Sequence, residues 1–313
     1  MRIFSAKSLH TIFLCLFFFP AFSQLPNVSS GKIVRIKEFK SAFVTERNID
    51  IWLPDNYPNH PQPYSVLYMH DGQMLFDSTS TWNQQEWKMD ETAGKLIRDN
   101  KTRPFIIVGI WNGGVTRHAD YFPQKPFESL SAEQKETIYT AVRPNGEDVF
   151  KNIKINSDNY LKFIIKELKP FIDSSYVVSG KVEHTFIAGS SMGGLISLYA
   201  ICEYPGVFGG AACISTHWPG IFHTENNPVP NAFFSYLKHH LPNPTNHRLY
   251  FDYGTETLDA LYPPLQKLAN KIISKAGYQK NNWMSVEFKG ENHSEKSWSK
   301  RMDIPLLFLL KEK

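Results

Sequence analysis

Cysteine is scarce in this chain. Only three occur in 313 residues. Cys15 lies inside an apolar N-terminal run, which leaves Cys202 and Cys213 for the folded part. Two cysteines cannot form a disulfide framework, and neither has a spacing that suits a metal site. Both stand in apolar settings, one on a helix and one on the following strand, and read as buried free thiols. A dominant charge is missing as well. Lys and Arg number 34 against 30 Asp and Glu, and the small excess is spread along the chain, which gives no nucleic-acid surface. There is no repeat, no low-complexity block and no linker that would divide the chain. At this length those absences leave one large domain with a substantial core.

The one long apolar run is N-terminal. Arg2 and Lys7 precede it, residues 11–19 form it, and Ala21-Phe22-Ser23 closes it with small residues. That is the pattern of a signal peptide cleaved before Gln24, and the run is short for a membrane span. Residues 1–23 are therefore expected to be a leader and residues 24–313 the mature domain. The protein is expected to be exported, periplasmic or secreted, with no stable membrane insertion.

Along the mature chain, strand patterns recur. Residues 31–36 and 47–54 alternate between apolar and polar, whereas 64–69 and 105–110 are continuously apolar, as strands buried on both faces should be. Residues 184–188, 209–214, 248–251 and 283–288 complete the strand set. Helical periodicity covers 160–172, the segment from 194 and 265–276. Strands alternating with helices predict an α/β fold, a mostly parallel central sheet with helices on both faces. The first two strands have no helix between them, so the sheet should begin antiparallel. Residues 111–159 and 216–246 read as long irregular segments, the second with five prolines and Trp218. Such segments serve as lids or binding loops.

Chemistry enters at Gly189-Ser190-Ser191-Met192-Gly193. A strand precedes it and a helix follows, the context of a nucleophile elbow. The sharp turn strains the serine backbone and admits only small neighbours, here Gly189 and Gly193. Ser191 would stand at the strand tip, with the helix N-terminus favouring any anion formed beside it. A serine needs a base. Of eleven histidines, His293 lies in a polar loop just after the last strand, in the serine–acid–histidine order this context requires. His118 and His217 are candidates only for lining the pocket. The acid should follow the strand at 248–251, where Asp252, Glu256 and Asp259 compete. Asp259 is preferred. The oxyanion donors would be the N–H groups of Met192 and of Gln73, the latter in a turn that Gly72 permits after the strand at 64–69.

These motifs together carry a resemblance. His70-Asp71-Gly72-Gln73, Gly189-Ser190-Ser191-Met192-Gly193-Gly194 and Asp252-Tyr253-Gly254-Thr255-Glu256 ahead of His293 resemble the putative-esterase family of α/β-hydrolases. That family includes feruloyl and enterochelin esterases, esterase D and the mycolyltransferases. The resemblance implies an α/β-hydrolase fold with Ser191 as nucleophile and His293 as base. Feruloyl esterases carry an Asp shortly after the late glycine and before Tyr-Pro. Asp259 precedes Tyr262-Pro263 with extra residues after Gly254, a departure that leaves the acid open. The pair Arg117 and Tyr121 is similar to a loop pair of enterochelin-esterase-like members, there either to bind an acidic or catecholic substrate or to brace the loop. With Trp218 they form the expected substrate contacts.

The expected activity is hydrolysis of a small-molecule or saccharide-linked carboxylic ester through an acyl-enzyme, with no metal or organic cofactor. Acyl transfer with the same triad, and a non-catalytic saccharide- or siderophore-binding relic, are the rivals.

Overall fold

The computed structural model describes residues 24–311. Eight strands form one sheet in the order β1-β2-β4-β3-β5-β6-β7-β8. Strands β1 (Lys32–Phe39) and β2 (Arg47–Leu53) pair antiparallel, as do β2 and β4 (Phe105–Ile110). The remaining pairs, through β3 (Ser65–His70), β5 (Thr185–Ser190), β6 (Gly210–Ile214), β7 (Arg248–Gly254) and β8 (Trp283–Phe288), are parallel. The antiparallel start follows from the absence of a crossover helix between β1 and β2. Strands β3, β4, β5 and β6 are buried along their whole length, as helices on both faces require.

The helices are α1 (Met89–Arg98), α2 (Arg117–Tyr121), α3 (Gln124–Glu128), α4 (Ala132–Tyr139), α5 (Ser157–Phe163), α6 (Lys169–Ser175), α7 (Met192–Glu203), α8 (Val229–His240), α9 (Tyr262–Lys275), α10 (Glu295–Ser299) and α11 (Asp303–Leu310). One face of the sheet packs against α1, α10 and α11 through Met89, Leu96, Trp298, Leu306 and Leu309. The other packs against α5 to α9 through Leu161, Ile172, Leu198, Phe234 and Ile273. Helix α7 is apolar around its circumference and buried from Met192 to Cys202, which suits a helix enclosed on all sides. Cys202 and Cys213 are both free and buried, and burial pushes both thiols up, Cys202 first through its apolar surroundings and then through Glu203.

Two expectations are corrected. Residues 111–159 are not irregular: they hold α2, α3 and α4 and the start of α5. These helices have 5 to 8 residues, too few turns to display a 3.6-residue period. The start of α4 was nevertheless written in the sequence, where Ser131 and Gln134 form a capping box. Residues 216–246 likewise contain α8, whose Pro230 sits in the first turn. There a proline loses no hydrogen bond.

The register sets the site. Ser190 of β5 pairs with Ile214 of β6, Ile214 with Asp252 of β7, and Asp252 with Val286 of β8. The carboxyl ends of these strands therefore stand side by side, the edge where open α/β sheets bind ligands.

Candidate active site

Ser191 links β5 to α7 with φ 57° and ψ −121°. This is a costly conformation for a residue with a side chain, of the order of 1–3 kcal/mol. The turn is held by the Ser191 N–H donating to Ile214 O at 2.9 Å, and by its carbonyl accepting from the N–H groups of Leu195 and His217. Gly189 is required here, since an added Cβ would lie 2.7 Å from the carbonyl carbon of Gly193. Ser191 is partly exposed. Met192 opens α7, so its N–H is one of the donors a helix start leaves without an intrahelical partner.

His293 lies in the loop between β8 and α10, and its side chain is 14% exposed. Its backbone N–H donates to the Thr257 hydroxyl at 3.0 Å. Its Nδ1 lies 2.5 Å from Asp259 Oδ1. Trp298 and Tyr262 flank the imidazole edge-on, with ring centroids 5.0 and 5.9 Å away.

Asp259 sits in the 3-10 turn Thr257–Leu261 and is fully buried. Its second oxygen accepts from the Ser215 hydroxyl and from the Gly254 N–H, each at 2.6 Å. Burial pushes this carboxyl up, but the donors His293, Ser215 and Gly254 outweigh it and hold the group below its ordinary value. It is thus a carboxylate at neutral pH.

The other two acid candidates go elsewhere. Asp252 forms a buried two-pronged pair with Arg301, at 2.9 Å to NH2 and 3.2 Å to Nε, and also accepts from Tyr250 at 2.9 Å. Glu256 is exposed at the start of the 3-10 turn. The two sites are linked, because Ser215 Oγ accepts from Trp298 Nε1 at 2.9 Å and from Arg301 at 3.2 Å while donating to Asp259. Ser215, Trp298, Arg301 and Tyr262 were missed as site residues, and no local pattern in the sequence marks the first three. Tyr262 stood in view only as part of a Tyr-Pro pair.

Gln73 occupies the 3-10 turn Gly72–Met74 after β3. The left-handed residue beside that turn is Asp71, with φ 57°. Gly72 is needed for a close approach, since a Cβ there would lie 2.4 Å from the carbonyl carbon of Gly109 on β4. The Gln73 side chain accepts from the Asn112 N–H at 3.2 Å. This loop abuts the elbow, as a Cβ on Gly193 would sit 3.5 Å from Asp71 Oδ2.

The expected substrate contacts need revision. Arg117 grips Asp71 with two prongs, Nε to Oδ1 at 2.7 Å and NH2 to Oδ2 at 2.8 Å. Its guanidinium lies 5.2 Å over the Tyr121 ring, and the Tyr121 hydroxyl accepts from the Asp71 N–H at 3.3 Å. Tyr121 is fully buried. This pair braces the loop, while Arg117 keeps a 29% exposed side chain. Trp218 is fully buried too, stacked on Phe251 with its indole N–H donating to Gln266 at 2.9 Å. Neither Tyr121 nor Trp218 offers a face to a substrate. His118 and His217 are also buried. Burial lowers His118 to about 3, and it keeps His217 neutral as well. Among the described residues no cluster of three His, Cys, Asp or Glu could hold a metal, and no helix is long and apolar enough to cross a membrane.

Residues 41–305 match the family model described as Putative esterase. Among curated proteins, the ferri-bacillibactin esterase BesA of Bacillus subtilis is 27% identical over 168 residues, covering 51% of this chain and 51% of that protein. The uncharacterized protein YbbA of the same organism is 24% identical over 211 residues, 67% of this chain and 68% of its own length. Among solved structures, an IroE-like serine hydrolase from Shewanella oneidensis superposes with a TM-score of 0.65 at 18% identity, covering 89% of this chain and 79% of that one. A ferulic acid esterase from Anaeromyces mucronatus gives 0.59 at 18% identity, covering 91% and 93%. At such identities the structural likeness speaks for the fold.

Proposed function

The chain belongs to the Putative esterase family and is a serine esterase, and from that premise we propose that Ser191, His293 and Asp259 are its nucleophile, base and orienting acid. The observation that carries this reading is the Asp259–His293 hydrogen bond at 2.5 Å, formed at the same sheet edge as the strained Ser191. A carboxylate on Nδ1 keeps the proton there and leaves Nε2 as a lone pair. Nε2 takes the Ser191 proton as Oγ attacks the ester carbonyl. The oxyanion is received by the N–H groups of Met192 and Gln73. His293 then protonates the departing alcohol, and water releases the acyl group by the same steps in reverse order.

Catecholate esters of the siderophore type are the first substrate class to consider, since BesA is a ferri-bacillibactin esterase. Feruloyl esters come second, after the Anaeromyces esterase. The test is a panel of aryl, acetyl, feruloyl and catecholate esters assayed with wild type and Ser191→Ala. Loss of about three decades or more in kcat for the variant is expected, because members of a triad act as a unit. Turnover near the wild-type rate would overturn the assignment.

A further inference from the structure

Ser215 directly follows β6 and is fully buried. Its φ is 41°, in the left-handed region that a residue with a side chain enters only at a cost. The backbone is held there from two sides. The Ser215 N–H donates to the Asp252 carbonyl on β7 at 2.9 Å, and the residue before it, Ile214, accepts from the Ser191 N–H at 2.9 Å. The bend that borders the elbow thus brings the Ser215 hydroxyl to Asp259.

Ser215 Oγ has three partners and one proton. Trp298 Nε1 lies at 2.9 Å and Arg301 NH2 at 3.2 Å. An indole N–H and a guanidinium only donate, so these two contacts occupy the lone pairs of the hydroxyl. Its proton is left with one acceptor, Asp259 Oδ2 at 2.6 Å. Oδ2 also takes the Gly254 N–H at 2.6 Å. Among the described residues, Oδ1 is left to His293 Nδ1 alone, at 2.5 Å. This division matters because the carboxylate torsion of an aspartate is broad. One donor on Oδ2 would let the group swing, whereas two donors from different elements fix its plane. Asp259 is fully buried, so bulk water does not replace a lost donor. Arg301 does not depend on the hydroxyl, since it already reaches both oxygens of Asp252. Trp298, held by the same oxygen, stands edge-on to the His293 ring with centroids 5.0 Å apart.

We propose that Ser215 is a positioning residue of the active site: its hydroxyl, with no other acceptor for its proton, holds the Asp259 carboxylate in the plane that presents Oδ1 to His293. The inference rests on the reading of Ser191, His293 and Asp259 as the triad. Ser215 touches no substrate and acts through Asp259. It therefore bears on every step in which His293 takes or returns a proton, and it slows turnover when lost without weakening the binding of the ester.

The test is a double-mutant cycle on p-nitrophenyl acetate with wild type, Ser215→Ala, Asp259→Asn and the two changes together, the slow variants being read as single turnovers with enzyme in excess. Alanine keeps the β-carbon, so the backbone demand at φ 41° is unchanged. Ser215→Ala should lower kcat about ten- to a hundredfold, the scale of a catalytic group displaced by about 1 Å, with KM within about threefold of wild type. In the Asp259→Asn background the same change should cost less than about threefold, because the group it acts through is already lost. A residue that only packs the core would give the same fold-loss in both backgrounds. Ser215→Cys, which keeps a side chain of similar shape with a weak donor, should fall between serine and alanine, and it carries the cycle if Ser215→Ala does not fold. A kcat within about threefold of wild type in the Ser215 variants, or equal losses with and without Asp259, would overturn the proposal. Asp259→Asn by itself separates the premise: near-wild-type turnover there removes the triad acid first, whereas a crippled Asp259→Asn beside an unaffected Ser215→Ala removes only the role of Ser215.

Discussion

At the scale of residues, three carboxylates lie within one short segment after β7 and have three different fates. Asp259 holds His293, Asp252 holds Arg301, and Glu256 faces water. Replacement by the amide should separate them. Asp259→Asn keeps the shape but favours the wrong imidazole tautomer, so kcat should fall by up to about four decades with the fold intact. Asp252→Asn leaves the Arg301 guanidinium, 3% exposed, without its counter-charge. It should cost about 3 to 5 kcal/mol of stability, read as a shift of the denaturant midpoint, with much of the activity kept in the folded protein. Glu256→Gln should change neither. A mild Asp259→Asn beside a crippled Glu256→Gln would move the acid to Glu256.

At the scale of elements, the loop after β3 is fastened to α2 by one ion pair. The side chain of Asp71 is 8% exposed. Burial alone would push its carboxyl up, but the charge and hydrogen bonds of Arg117, with that of Asn112, bring it below the ordinary value of 3.8. A carboxylate whose folded value is depressed contributes stability above its unfolded value and loses it as pH falls through the folded one. Arg117→Ala should therefore destabilise at pH 7, by about 3 kcal/mol for a buried charge stripped of its partner. The gap from wild type should narrow as pH falls below the ordinary value of 3.8 and through the depressed folded one, as Asp71 protonates. Urea melts at pH 7, 5 and 3 measure it. A gap constant across that range would show that Arg117 acts through packing of its stem on Tyr121 instead. Since the same loop carries Gln73, activity should also drop in this variant.

At the scale of the whole molecule, the eight strands and the family match at 41–305 all lie beyond residue 23. The expected leader, residues 1–23, lies outside the described residues. The first described residue, Gln24, is joined to the sheet, its carbonyl accepting from Arg35 at 3.1 Å. We propose that the chain is exported and cut before Gln24. Mass spectrometry of the protein recovered from the medium or periplasm should give an N-terminus at Gln24, and a chain expressed from that residue should have the full ester-hydrolase rate. Recovery of an intact N-terminus only in a membrane fraction would sink the export reading.

How much of this was legible in the sequence divides along range of contact. The parallel strands could be read because burial on both faces writes a continuous apolar run, as in residues 105–110. The elbow could be read because its strain is local: the sharp turn at Ser191 leaves no room for a side chain on Gly189. The position of His293 after the last strand follows from chain order alone. The fold and the family inferred from these features hold. The short helices before α5 escaped, since few turns carry little period. The partner of His293 was decided only by tertiary structure: three acids of similar chemistry lie close together in sequence, and the pleat of β7 with the 3-10 turn after it determines where each one points. Ser215 reaches Asp259 from the end of β6, Arg301 reaches Asp252 from just after α10, and Trp298 of α10 reaches Ser215. A hydrogen bond between residues separated by 83 positions leaves no trace in local composition. It exists because the register of β5 to β8 brings their carboxyl ends to one edge.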